Sequence, residues 1–210
     1  MPVGLPSVAK LLHLSDSVAK GPSPTFDSAH ILMAFLEIGD AGRIGRQTLA
    51  QESGLGEGST RTILRRLTDE GYVRTSTGGA ELTKKGKSLF SSVKKSLSEL
   101  VRAGDTQLTL GDSHVAIAVR GGGGRVKYGI EQRDSAIKVG ASGATTYIMS
   151  SGRFAIPNGS TDCEKDFPSK SWAVLRESLS PRSGDAVILC GASDETTAKL
   201  GALAAAATLL

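Results

Sequence analysis

Residues 47–72 read QTLAQESGLGEGSTRTILRRLTDEGY, and two short amphipathic helices fit them. In the first, Leu49 and Ala50 form the apolar pair, and Gly54 stands where the helix must stop on a residue able to take positive φ. In the second, expected over 59–70, Ile63, Leu64 and Leu67 recur at helical spacing, with Gly58-Ser59 offering an N-cap and Gly71 a stop. At about 100° per residue these three side chains share one face. Arg61, Thr62, Arg65, Arg66 and Asp69 fall on the other. The spacing predicts a helix, a glycine-containing turn and a second helix with a basic outer face.

Downstream, Tyr72–Ser76 reads as a strand, Thr77-Gly78-Gly79-Ala80 as a tight turn and Glu81-Leu82-Thr83 as the return strand, because Gly-Gly is a two-residue hairpin signal. The phrase LTKKGKSL (82–89) then opens another helix. With LAQESGL, STRTILRRLTDEGYV, the hairpin and LTKKGKSL in this order, the chain resembles the winged helix-turn-helix transcription regulators, of the MarR-like and related kinds found in bacteria and archaea. The resemblance covers roughly residues 26–102. It implies a second helix that enters a DNA major groove and a wing at 72–83 lying along the duplex. Carried onto this chain, it implies that Arg61, Thr62, Arg65 and Arg66 face bases or phosphates. Ser59 and the N-terminus of its helix would hold a phosphate, and Arg74 and Lys84 would lie along the backbone beside the wing. The wing tip, Thr77 to Ala80, carries no arginine to reach a minor groove.

The chain's 210 residues suffice for two modest domains, and 39% apolar with 22% charged residues is the balance of an ordinary globular protein. Aromatic residues, at 4%, are too few for the stacking platforms of single-strand binding. Cys163 and Cys190 lack CxxC spacing and a neighbouring histidine, so neither a zinc site nor a disulfide framework is expected. A reducing, cytoplasmic setting follows. The net charge of +4 is unevenly spread: residues 26–103 hold 12 basic and 9 acidic side chains, residues 104–210 hold 11 of each. Between 58 and 87, Arg61, Arg65, Arg66, Arg74, Lys84, Lys85 and Lys87 face only Asp69, Glu70 and Glu81. Positive charge is concentrated where phosphate contact would require it.

Residues 1–25 lack an export signal, because His13, Ser15 and Asp16 interrupt the apolar stretch. Leu5, Val8, Leu11, Leu12 and Val18 suggest an amphipathic helix instead, ended by Gly21-Pro22-Ser23-Pro24, which reads equally as an arm able to pack on a partner subunit or as a frayed tail. The domain at 26–103 should begin with a helix capped by Asp27 or Ser28, carrying Ala29, Ile31, Leu32, Phe35, Leu36 and Ile38 inward. Gly39-Asp40-Ala41-Gly42 should break it, and Ile44 should plug the core. His30 stands alone and reads as an ordinary helix residue. A helix over 84–102 would present Leu89, Val93, Leu97 and Leu100 as a dimerisation seam or as a face covering its own subunit, with Gly104-Asp105 as the domain boundary. A two-fold homodimer of this kind would read a pseudo-palindromic operator in double-stranded DNA.

Residues 104–210 read as a small α/β domain with a mixed sheet, giving an α+β chain overall. His114–Val119 and Ala186–Cys190 are apolar strands, and Thr145–Met149 with Arg153–Ile156 form a hairpin through Ser150-Ser151-Gly152. Residues 126–139 suit a helix, as does the face of Trp172, Leu175 and Leu179. An alanine-rich helix capped by Ser193 or Asp194 closes the sequence, too short to cross a bilayer. Arg120 and Arg125 flank Gly121, Gly122, Gly123 and Gly124, a run whose backbone N–H groups suit a small anionic effector. A flexible turn explains the same residues, and neither GxGxxG nor GxxxxGK[ST] is present, so no cofactor is expected. Cys190 reads as core, or as an oxidant-sensing thiol beside a pocket. No Ser-His-Asp set or carboxylate pair stands out, and the chain is read as a non-enzyme. Two other classes stay open: an enzyme with an appended winged helix, and a winged helix used for protein contacts.

Overall fold

In the computed structural model, which describes residues 5–16 and 26–210, the chain divides after Val93 into two units. The first is helical with one hairpin. α1 (Leu5–Leu12) and a 3-10 turn (His13–Asp16) precede α2 (Ser28–Ala41), α3 (Arg46–Glu52) and α4 (Glu57–Asp69). β1 (Val73–Ser76), β2 (Gly79–Leu82) and α5 (Lys84–Ser96) follow. Val8, Leu11 and Leu14 are buried in this chain's own first unit, so the arm's apolar face is already used. Val18 and the Gly21–Pro24 stop lie outside the described residues.

Asp27 caps α2, accepting from the N–H groups of Ala29 and His30, while His30 Nδ1 accepts from Asp27 N–H. His30 is therefore half of a capping box rather than an idle helix residue. α2 runs through Gly39, where a break was expected, and ends at Gly42 with φ +71°. Gly39 is a contact position: a Cβ there would meet the Phe90 ring at 2.2 Å. Ile44 exchanges backbone hydrogen bonds with Ala80 at 3.0 and 2.8 Å, adding one rung to the β1–β2 hairpin. The LTKKG phrase has a similar local cause. Thr83 Oγ1 accepts from Gly86 N–H, capping α5, and donates to Gly71 O. The helix start comes so close to Tyr72 that a Cβ at Gly86 would lie 2.0 Å from its carbonyl oxygen.

α5 stops at Ser96, not at 102. Leu97 bridges to Val119, Ser98 N–H donates to Ala118 O, and β3 (Val101–Arg102) pairs antiparallel with the next strand. The exposed edge of that strand recruits residues 96–103, and its backbone pairing outweighs helix propensity. Leu89, Val93 and Leu97 are buried within this chain, which removes the expected dimerisation seam.

The second unit is a five-stranded sheet in the order β3-β4-β7-β5-β6. Its strands are β4 (Ser113–Val119), β5 (Gly143–Ser150), β6 (Arg153–Ala155) and β7 (Ala186–Ala192) besides β3. All pairings are antiparallel, where the sequence left room for parallel ones. α6 (Ile130–Lys138) and α9 (Glu195–Ala207) cover one face, and α8 (Ser171–Leu179), with the short α7 (Cys163–Asp166), the other. Cover on both faces explains why β4 and β7 are apolar at nearly every position, as parallel strands usually are. Trp172, Leu175 and Leu179 of α8 pack with Tyr147, Phe154, Val187 and Leu189. On the other face, α9 approaches closely because it is small-sided: a Cβ at Gly201 would lie 2.5 Å from Cys190 Sγ.

Candidate nucleic-acid interface

α3 and α4 meet through a turn containing Gly54, at φ +63°. Ile63 and Leu67 are fully buried and Leu64 nearly so, which orients α4 as its apolar stripe predicts. The helix starts at Glu57 with Gly56 as N-cap, so Ser59 sits within its first turn instead of capping it. Gly56 can hold this place because Thr60 N–H and Oγ1 both donate to its carbonyl, at 3.1 and 3.2 Å. Glu57 pairs with Arg46 at 3.3 Å. An acid thus occupies the helix start where a phosphate was expected.

A groove of about 700 Å³ separates α4 from the hairpin. Its floor and walls come from the start of α3 (Arg46, Gln47, Thr48), from α4 (Arg61, Leu64, Arg65, Thr68, Asp69) and from Thr75–Ala80. Three arginines face one acid. Arg61 and Arg65 are exposed and make no hydrogen bond or ion pair among the described residues. Of the residues the sequence singled out, these two line the groove. Thr62 donates to Gly58 O on the flank of α4, and Lys84 is exposed at the start of α5. Arg74 pairs with Glu81 at 2.7 Å.

Arg66 is a correction. It is 7% exposed, its Nη1 donates to Leu14 O and, at 3.0 Å, to Ser15 O, and its guanidinium lies 5.0 Å from the Phe26 ring centroid. In the sequence, 66 falls outside the 63–64–67 stripe; the 3-10 turn after α1, with Phe26, supplies the cover that single-helix periodicity cannot foresee. Burial, with the neighbouring Arg65 charge, lowers the Arg66 pKa from its usual value.

Sequence reasoning missed Arg43 and Arg46. Arg43 pairs with Glu81 at 2.9 Å, and its Nη1 lies 3.3 Å from where a Cβ at Gly78 would stand. A guanidinium from the α2–α3 connection therefore lies beside a hairpin tip that has no arginine of its own. The Arg43 guanidinium, then that of Arg74, holds the Glu81 carboxyl below its ordinary range. The signal was present in GRIGR at 42–46, two basic residues flanking the rung at Ile44.

The glycine run is a second correction. Arg120 donates to Asp185 Oδ2 at 3.0 Å, to Leu179 O at 2.8 Å and to Ser180 O at 3.3 Å. Gly121 N–H donates to Asp185 Oδ1, and Gly123 N–H to Gly184 O, both at 2.8 Å. Cβ atoms at Gly122 and Gly123 would fall 2.9 Å from Val119 and 2.8 Å from Gly184 O. The run is a close-packed clasp between β4 and the start of β7, with the N–H groups of Gly121, Gly122 and Gly123 already engaged. Gly124 and Arg125 are exposed beside it. A concavity of about 520 Å³ elsewhere in this unit, bordered by Asp105–Leu108 and Phe167–Ser169, has Asp105 as its one ionisable lining residue.

Both cysteines are free and buried. Burial pushes the Cys190 thiol up to about 12 and raises Cys163 as well, so neither is poised as an oxidant sensor. Among the described residues no group of three or more His, Cys, Asp or Glu is placed to hold a metal, and no helix is long and apolar enough to cross a membrane.

Comparison with known proteins bears mainly on the fold. Residues 110–209 match the family described as "Domain of unknown function (DUF4443)". No curated protein sequence matches. The Mycobacterium tuberculosis MarR family protein Rv2887 aligns at 21% identity over 43% of this chain and 68% of that chain. Its TM-score of 0.30 supports no conclusion. The hypothetical protein PH0730 from Pyrococcus horikoshii OT3 is 27% identical over 86% of this chain and 91% of that chain, with a TM-score of 0.69. The chain is thus similar in fold to PH0730 over most of its length.

Proposed function

We propose that this chain is a transcription regulator that binds double-stranded DNA as a two-fold dimer, with α4 in a major groove and the β1–β2 wing against the adjoining backbone. The observation that carries the reading is the open groove between α4 and the wing, where Arg61 and Arg65 stand exposed without a hydrogen-bond or ion-pair partner among the described residues. Long, flexible guanidinium groups left unpaired on a helix of this kind suit guanine edges and phosphates. Arg46 and Thr48 extend the contact along α3, and Arg43 stands where a wing-tip arginine would meet a minor groove. Thr62, Arg74 and Lys84 reach backbone phosphates at the edges. The second unit is assigned to assembly rather than to an anionic effector, because Arg120 and the glycines are committed to Asp185 and Gly184.

Selection from random-sequence duplexes tests this. Enrichment of an inverted repeat with half-sites about ten base pairs apart is the expected outcome. Affinity should fall by about 0.9 log units per log unit of salt for each phosphate contacted. Failure to enrich any sequence, with binding insensitive to salt, would contradict the proposal.

A further inference from the structure

The outer face of α6 is bare. Gln132 and Ala136 are buried on its inner side, whereas Ile130 and Ile137 are 50% and 47% exposed and Tyr128, just before the helix, is 66% exposed. Three of the five large apolar side chains exposed among the described residues therefore belong to one helix and its lead-in. Positions 130, 133, 134 and 137 form one stripe at helical spacing. Between the isoleucines lie Arg133 and Asp134, both exposed and paired with each other at 3.0 Å.

The stripe is complementary to itself. Turned end for end about the midpoint between 133 and 134, the helix places Ile130 where Ile137 was and Arg133 where Asp134 was. A two-fold axis through that midpoint, perpendicular to the helix, would set Ile130 against the Ile137 of a second copy and Arg133 against its Asp134. A parallel pairing would oppose like charges instead. An apolar stripe with a centred, balanced charge pair is poorly matched to DNA or to an anionic lipid surface. It matches another α6.

We propose that two copies of this chain meet through α6, packed antiparallel across a two-fold axis. The inference rests on the dimeric reading above for its purpose, and it supplies the contact that the buried α5 seam does not. Such an interface is isologous and closes on itself without forming fibres.

The test uses the full chain. Sedimentation velocity at about 100 µM should find a dimer, a concentration well above the Kd of a modest interface. Arg133→Asp should weaken it about tenfold by placing like charges across the axis, and the double variant Arg133→Asp with Asp134→Arg should restore it. Ile130→Cys protein mixed with Ile137→Cys protein, after subunit exchange and mild oxidation, should form disulfide-linked dimers. Either variant alone should not, because like positions on antiparallel helices sit about 10 Å apart along the axis, beyond disulfide reach. A monomer at this concentration, no rescue by the double reversal, or equal cross-linking by single and mixed variants would overturn the proposal. A DNA-binding monomer would overturn this interface and the dimeric part of the regulator reading but leave DNA binding standing. A dimer that survives Arg133→Asp and fails to cross-link through 130 and 137 would overturn this interface alone, and an α6 dimer without DNA binding would overturn the regulator reading alone.

Discussion

Asp185→Asn is the sharpest probe of the clasp that replaced the expected effector site. The carboxylate is 4% exposed. Oδ1 accepts from Gly121 N–H at 2.8 Å, and Oδ2 accepts from Arg182 N–H at 2.9 Å and Arg120 Nη1 at 3.0 Å. Asparagine keeps the shape but offers one oxygen and one NH2 group. In its best orientation the oxygen keeps the Arg182 and Arg120 donors, while the NH2 faces Gly121 N–H, donor against donor. One charge-assisted bond is lost and the partly exposed Arg120 guanidinium loses its counter-charge, so the cost should be about 1–3 kcal/mol. Trp172, the only tryptophan, lies in the core of the second unit, so its fluorescence in urea reports this unit's unfolding. The variant should lower the midpoint without changing the slope. Burial alone would raise the Asp185 pKa, but the N–H groups of Arg182 and Gly121 and the Arg120 guanidinium outweigh it and hold the carboxyl below its ordinary value. A depressed folded pKa stabilises above the unfolded value, about 3.9, and that stability is lost as pH falls through the folded one. The gap between wild type and variant should be full at neutral pH and shrink below about pH 4. A difference under about 0.5 kcal/mol at neutral pH, or a gap that widens in acid, would refute the clasp.

Four further outcomes follow from the same packing. Arg66→Ala should cost the first unit about 2 kcal/mol and loosen the 3-10 turn after α1, read as lost hydrogen-exchange protection over residues 12–16; unchanged protection would return Arg66 to the surface. Gly86→Ala, which drives a Cβ to within 2.0 Å of Tyr72 O, should cost about 2–4 kcal/mol in thermal unfolding. Gly124→Ala, whose Cβ meets nothing within 4 Å, should stay within about 0.5 kcal/mol. Cys163 and Cys190 should resist a thiol reagent at pH 8 in the folded protein and react once it unfolds, because burial raises both thiols. Rapid labelling of native protein would contradict the burial of both cysteines.

What the sequence makes legible is set by local physics. The Ile63–Leu64–Leu67 stripe, the stops at Gly54 and Gly71 and the hairpin are decided within a few residues of themselves, so α3, α4, β1 and β2 all form, although α4 starts two residues early at Glu57 and the tight turn falls on Thr77-Gly78 with Gly79 already in β2. Longer-range partners decide the rest. Arg66 follows the 3-10 turn at His13–Asp16, whose carbonyls at Leu14 and Ser15 lie more than 50 residues away, and residues 97–102 follow the open edge of β4 rather than their own helical spacing. The glycine run has the composition of an anion cradle, but Asp185 and Gly184, some 60 residues on, take its donors. Sheet direction was ambiguous because antiparallel strands covered on both faces carry the same apolar signature as parallel ones. Along the groove, the exposure of Arg61 and Arg65 on the polar side of α4 was legible from spacing; the places of Arg43 and Arg46 were not, since they depend on how the α2–α3 connection and the start of α3 dock beside the hairpin and α4.

The central claim is that α4 presents Arg61 and Arg65 to a duplex. Fluorescence anisotropy with a selected duplex, comparing wild type with Arg61→Ala and Arg65→Ala, tests it most directly. Each substitution should cost about 1–3 kcal/mol of binding and, where the side chain meets a phosphate, reduce the salt slope by about 0.9, with Trp172-monitored stability unchanged. Wild-type affinity and an unaltered salt slope in both variants would show that the groove between α4 and the wing is not where this protein holds DNA.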